Sequence, residues 1–410
     1  MPEAGRSWDE VREQLITRGG GDAKWRDGKT AVYVFNAGPE IAKVQQEAYS
    51  LYMSENGLGP LAFPSLAQME REVIEMALSL LNGPVGATGA MTSGGTDSIT
   101  MAIKAARDYA RAARALSGPA NIVLPRSAHP AFDKAAHLMD IEVRRLPLKE
   151  DGSYQADPAA MGDACDNQTI MMVGSAPNFP HGIIDPIEEL GKVAREKEVW
   201  LHTDACVGGY FAPFARMNGV PVPPFDFEVQ AVHSISADLH KYGYAAKGAS
   251  TVLFRSQELF QHMPFENREW SGAPMTTPTL AGTRPGGAIS AAWTVMNVLG
   301  VEGYRKTQGL VCETRERAEE GLKARGFEIL GNPILGLIAF RHPEHDSFAI
   351  YGEMLRKGWF TSVTTEPRSL HLMLSPKHAE VIDEYLEDLT ESVATVAEGK
   401  GGPKVEARYN

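Results

Sequence analysis

The sequence predicts an α/β protein: a mostly parallel central sheet covered by helices, with an N-terminal arm and a small C-terminal α+β domain. Three observations predict it. Short apolar runs rich in β-branched residues recur at "NIVLP" (121–125), "IEVRRLPL" (141–148), "TIMMVGSAP" (169–177), "EVWLHTDA" (198–205), "AVHSIS" (231–236) and "STVLF" (250–254). Helical segments separate several of them, such as "ITMAIKAARDYARAARAL" (99–116) and "PIEELGKVAREKE" (186–198). Strands alternating with helices build a sheet covered on both faces. From about residue 301 the pattern changes. A charged helix "TRERAEEGLKARG" precedes "ILGNPILGLIAFRH", another helix, "SLHLMLS" and a last helix.

Four segments follow from this: an arm over 1–60, a large domain over 61–300, a small domain over 301–398 and a mobile tail over 399–410. The arm reads as a short helix, a glycine-rich break "RGGGDAKWRDGK", a strand-like "AVYVF" (31–35) and a helix near Ile41–Ser54. A long helix starts at Ser65, where "LAQMEREVIEMALSLLN" is apolar at helical spacing, and stops at "NGPVG".

Composition narrows the function classes. The chain has 410 residues, 43% apolar and 22% charged, as in ordinary globular proteins. Its net charge of −12 argues against a nucleic-acid partner, which needs a basic face. Three scattered cysteines, Cys165, Cys206 and Cys312, form neither a disulfide framework nor a CxxC pair, which favours a reducing cytoplasm. No apolar run approaches the roughly 20 residues of a membrane helix. The polar start "MPEAGRSWDEVREQL" is not a signal peptide. The expectation is a soluble, cytoplasmic protein.

Ligands of such sheets bind beyond the C-terminal strand ends, so the residues closing each strand carry the chemistry. "TSGGTDS" (92–98) opens an apolar helix; its glycines allow close backbone approach, and the free N–H groups of the helix start suit a phosphate. Asp204 closes the run "EVWLHTDA". His202 and Asp204 do not make a metal motif, and no metal is expected. His129 follows "NIVLP". Lys241 follows the strand Val232–Ser236, with His240 before it, where a lysine can form a Schiff base. Each feature alone has an ordinary structural explanation: a capped helix, a buried acid, a packed histidine, an exposed lysine. Together, in one alternating domain, they are the set that pyridoxal phosphate needs. Lysine joins the carbonyl, the acid pairs with the ring nitrogen, the histidine stacks on the ring and the helix start takes the phosphate.

The stretches "TSGGTDSI", "SAHPAFDKAA", "PNFPHGIIDPI", "LHTDACVGGY", "SADLHKYGYAAKG" and "AGTRPGGAISAAW" resemble the fold-type I pyridoxal phosphate enzymes of the group II decarboxylase branch. More narrowly they are similar to the sphingosine-1-phosphate lyases, over roughly residues 30–300. The resemblance implies Lys241 as the catalytic Schiff-base lysine, Gly95, Thr96 and His240 as phosphate contacts, His129 stacked on the ring, Asp204 at its nitrogen and Cys206 against it. It implies that Gly282 and Thr283 of "GTRPGG" reach the cofactor of a neighbouring subunit in a homodimer, and that Tyr33, Asn56 and Lys247 contact a phosphorylated lipid substrate. Where the family carries a histidine, Gly57–Pro60 has none. The implied reaction is a retro-aldol cleavage of a phosphorylated long-chain base to a fatty aldehyde and phosphoethanolamine. Amino-acid decarboxylation on the same fold, with Arg284 or Arg368 holding a carboxylate, is the alternative. A non-catalytic protein would not need Lys241, Asp204 and His129 together. "GGYFAPFARMNGVPVPPFDF" (208–227) is a candidate lining for the lipid chain, and ordinary loop packing explains it as well.

Overall fold

The computed structural model describes residues 1–114, 116 and 118–400. From residue 401 on, the expected tail lies outside the described residues. A seven-stranded sheet forms the centre: β1 (Thr88–Thr92), β2 (Asn121–Pro125), β3 (Glu142–Leu146), β4 (Thr169–Ser175), β5 (Trp200–Asp204), β6 (Val232–Ala237) and β7 (Ser250–Phe254). Their order is β1-β7-β6-β5-β4-β2-β3. The strands from β6 to β3 run parallel, and β7 is antiparallel to both of its neighbours.

The strand residues explain the burial. Successive side chains point to opposite faces, so a strand covered twice is apolar throughout. Ile122, Leu124, Trp200, Val252 and Phe254 pack under the helix Gly95–Ala113. Val123, Leu201, Ile235 and Leu253 join the larger cluster on the other face. Alanines 102, 105, 106 and 110 on the Gly95–Ala113 helix are buried, and their small size lets it lie close to the sheet.

Beyond the sheet, β8 (Phe265–Asn267) and β9 (Met275–Thr277) make a hairpin. β10 (Glu328–Ile329), β11 (Leu337–Arg341), β12 (Ser362–Thr365) and β13 (Arg368–Met373) form an antiparallel sheet in the order β10-β11-β13-β12. The helix Gly286–Ala324 joins the two parts and is broken at Gly300, where φ is 54° and ψ −173°.

Two local expectations differ from the fold. "AVYVF" is not a strand. Thr30 makes one bridge to Phe360, and Tyr33 then turns left-handed at φ 64°. The tight contact from Val34 N–H to the Val32 carbonyl, 2.7 Å, reverses the chain before a ladder can form. Conversely, β1 carries "TGAMT", which lacks an apolar β-branched run; pairing to β7 over five residues makes it a strand. Among the described residues, no helix is long and apolar enough to cross a membrane.

Candidate active site

The loops that follow β2, β4, β5 and β6 meet the start of the Gly95–Ala113 helix around a cavity of about 400 Å³. Gly95, Thr96, His129, Asp204, Cys206, His240 and Lys241 all line it. A chain-reversing turn places the lysine. Lys241 N–H donates to the Asp238 carbonyl at 3.3 Å and Tyr244 N–H to the Lys241 carbonyl at 2.9 Å. Buried Leu239, Tyr242 and Tyr244 anchor this turn from within. Tyr242 Oη donates to the Leu374 carbonyl at 2.6 Å, and Tyr244 Oη to Gln308 Oε1 at 2.9 Å.

Lys241 Nζ lies 2.9 Å from Asp238 Oδ2. Burial disfavours the ammonium, but the adjacent Asp238 carboxylate outweighs it, so Lys241 is held above the ordinary lysine range. His240 Nδ1 faces the Ala249 carbonyl at 2.8 Å, which also accepts from the His240 N–H at 3.0 Å. Burial lowers the pKa of His240 despite the Asp238 charge.

Asp204 closes β5 and is 6% exposed. Its Oδ1 accepts from the Cys206 N–H at 3.1 Å and Ser236 Oγ at 3.3 Å. Behind it His202 is fully enclosed between Ser234 and Ser236, and burial pushes it down to about 4. That ring packs neutral and takes no part in the cavity. His129 Nδ1 accepts from the Ala131 N–H at 3.1 Å, and burial, opposed by Asp204, lowers its pKa. Burial likewise pushes the Cys206 thiol well up, which leaves it a packing group beside the cradle. The cradle has little room. A methyl on Gly95 would lie 2.9 Å from both Asp238 Oδ2 and Cys206 Sγ.

The remaining expected residues form two clusters outside this cavity. Lys247 Nζ donates to the Tyr33 carbonyl at 2.8 Å and the His240 carbonyl at 3.2 Å. Asn56 donates to Thr283 Oγ1 at 3.3 Å and its Oδ1 accepts from the Arg284 N–H at 3.2 Å, so Asn56, Thr283 and adjacent Gly282 sit together. Arg284 is committed to Glu70 and the Gly57 carbonyl. Arg368 pairs with Asp346 and lies 3.6 Å from the centre of the Phe348 ring.

The pyridoxal-dependent decarboxylase conserved domain matches residues 23–343 of the chain. The chain belongs to this family. Within it, the chain is similar to sphingosine-1-phosphate lyases. A rice (Oryza sativa subsp. japonica) protein of that name is 40% identical over 98% of this chain and 75% of its own. The structure of the Burkholderia pseudomallei sphingosine-1-phosphate lyase superposes with a TM-score of 0.93 at 35% identity, covering 98% of this chain and 93% of that one. A probable L-tyrosine/L-aspartate decarboxylase of Methanosarcina mazei is 36% identical over 86% of this chain and 90% of its own.

As a pyridoxal-dependent decarboxylase family member, the chain uses pyridoxal phosphate, and the cavity fits it: a glycine-floored helix start, an amine, a strand-end acid and a half-buried imidazole surround one space. Sequence reasoning missed three contributors. Ser93, whose N–H and hydroxyl both donate to Asp97, opens the cradle. Asp185 of "IIDP" is buried, pushed up to about 7 by burial, and accepts from the Ser175 N–H at 2.8 Å, which fixes the end of β4. Asp238, three residues before the lysine, stood in plain view in "SADLHK"; its spacing to Lys241 was the available signal.

Proposed function

We propose that the chain cleaves phosphorylated long-chain bases of the sphingosine 1-phosphate type between C2 and C3, releasing a fatty aldehyde and phosphoethanolamine. The observation that carries this reading is the placement of Lys247. It is a lysine six residues beyond Lys241, bonded to the Tyr33 carbonyl, while both arginines that could hold an amino-acid carboxylate are engaged elsewhere. The full-length similarity to the Burkholderia and rice lyases supports the same reading.

In this reading Gly95, Thr96 and His240 hold the cofactor phosphate at the helix start, where N–H groups and the dipole favour an anion. Asp204 sits at the ring nitrogen and keeps it protonated, and neutral His129 stacks on the ring. When bound, pyridoxal phosphate supplies a sink for the electron pair left on C2 as the C2–C3 bond breaks. Lys241 holds the cofactor and yields its place to the substrate amine. Lys247, a point charge, and Tyr33 receive the substrate phosphate. A base takes the C3 hydroxyl proton so that the C3 carbonyl can form, and C2 then takes up a proton.

Two finer points belong to the same proposal. Gly282 and Thr283 lie outside their own cavity and complete that of a second copy, so the working unit is a homodimer. The acidic charge and the free cysteines favour a soluble, cytoplasmic enzyme.

The test is incubation of purified protein with sphingosine 1-phosphate and assay of long-chain aldehyde and phosphoethanolamine. The Methanosarcina relative favours a second reading, amino-acid decarboxylation. Carbon dioxide from tyrosine or aspartate, with no aldehyde from the phosphorylated base, would establish that one instead.

A further inference from the structure

Asp238 has no part in the roles above, yet it is the acid most tightly bound to the reacting amine. Its side chain is 2% exposed, and its Oδ2 lies 2.9 Å from Lys241 Nζ and 3.8 Å from His240 Nε2. Its Oδ1 is buried without a hydrogen-bond partner among the described residues. It is packed in place: a methyl on Gly95 would fall 2.9 and 3.0 Å from its two oxygens. The turn closed by the 3.3 Å hydrogen bond from Lys241 N–H to the Asp238 carbonyl fixes acid and amine on one side. A carboxylate so withdrawn from water stays ionised only beside a countercharge. The positive end of the Gly95–Ala113 helix adds to that effect.

We propose that Asp238 is a positioning residue that holds the freed Lys241 amine as an ammonium until the C2–C3 bond has broken, so that Lys241 gives its proton to C2 and does not take the one from the C3 hydroxyl. The inference rests on reading Lys241 as the amine that joins the cofactor. The titratable groups facing Asp238 are Lys241, His240 and Lys247 from its own loop and the residues after it, Cys206 and Tyr210 from the segment after β5, and His129 from the segment after β2, and the Ser250 hydroxyl at the start of β7 lies beside it. Of the cations among them, Lys241 makes the shortest ion pair with it.

The protons balance. The substrate amine arrives as an ammonium, and as it displaces Lys241 its proton passes to the freed Nζ, where Asp238 holds it. When the C2–C3 bond breaks, its electron pair stays with C2, and the C3 hydroxyl proton goes to a separate base. Nζ then donates to C2, becomes neutral and displaces the product amine, which leaves with the proton held by that base. Lys241 is therefore not the base.

The test is competitive acetylation of the full-length, cofactor-free chain across pH 7–12, with Lys241 located by peptide mass spectrometry. In the unaltered protein Lys241 reaches half-maximal reactivity above the ordinary lysine value of about 10.4. In Asp238→Asn that midpoint falls by at least one pH unit, so Lys241 reacts roughly tenfold faster at pH 9. The alkaline limb of kcat moves down with it, while KM changes little. An unaltered protein whose Lys241 titrates at or below the ordinary value would overturn the proposal, even if the variant failed to fold. So would an unmoved midpoint or an unmoved kcat limb in a folded variant. Failure of the underlying reading looks different: Lys241→Ala would keep the visible absorption of covalently held cofactor.

Discussion

At the scale of single residues, two lysines six positions apart have different surroundings. Lys241 is three-quarters covered and paired with Asp238, whereas Lys247 is exposed, donates to the Tyr33 and His240 carbonyls and lies 5.3 Å from the centre of the Phe35 ring. Lys241→Ala is expected to abolish cofactor-dependent visible absorption and reduce turnover by about a thousandfold or more, since covalent catalysis has no substitute there. Lys247→Ala should leave that absorption intact and raise KM for the phosphorylated base roughly tenfold, the loss of about one charge-assisted hydrogen bond. Burial of the Lys247 amine and the nearby Lys241 charge pull its pKa down to about 8; because the residue is exposed, solvent limits that shift. The charged form exists below the pKa, so substrate affinity is expected to fall as pH rises from about 8 towards the ordinary lysine value. A KM–pH profile that is the same in Lys247→Ala and the parent protein would refute this. Gly95→Ala is expected to weaken cofactor retention roughly tenfold, because the added methyl would meet Asp238 and Cys206 and the phosphate cradle has to shift. Dialysis followed by absorbance measures it.

At the scale of elements, what the sequence made legible depended on burial. The six runs assigned to the centre became β2 to β7; β2, β4, β5 and β7 are buried at every residue, as strands covered on both faces must be, whereas β3 at the sheet edge is only partly covered. β1 was hidden because Gly89 sits where a Cβ would lie 2.4 Å from the Val252 carbonyl oxygen; close backbone approach, and no apolar run, specifies that position. "AVYVF" misled in the opposite sense: its apolar residues Ala31 and Val32 are buried by packing, not by strand pairing. In the active site, strand-end residues were legible because a parallel sheet delivers them to one crevice. Asp238 was not singled out because its importance lies in a contact across a turn, which composition and periodicity do not report. The turn depends on its aromatic anchors. Tyr242→Phe removes the bond to the Leu374 carbonyl and is expected to destabilise the protein by about 1–2 kcal/mol, read as a lower denaturation midpoint, with Lys241 still able to take up cofactor.

At the scale of the whole molecule, one chain leaves apolar surface uncovered. The helix Trp8–Gly19 buries none of its residues, and Trp8, Leu15 and Ile16, on one face by their spacing, are 66%, 57% and 62% exposed. Leu61 and Leu280, flanking the cluster of Asn56 and Thr283, are 99% and 65% exposed. Leu280 N–H reaches Asp97 at the rim of its own cavity at 3.4 Å, while Gly282 and Thr283 do not line it; with the exposed apolar groups, this fits the proposed two-fold dimer in which each copy completes the other's site. The break at Gly300 falls at the proposed boundary of the large and small domains. A mixing experiment tests the arrangement. Lys241→Ala lacks the amine but keeps the loop, and Gly282→Trp blocks the loop but keeps the amine; each alone should be inactive. If sites are shared, refolding them together at equal amounts gives half heterodimers, each with one intact site, and restores about a quarter of parental activity. Two variants that form dimers by mass yet restore nothing on mixing would show that each cavity is completed by its own chain, and the loop at Gly282 and Thr283 would lose its assigned role.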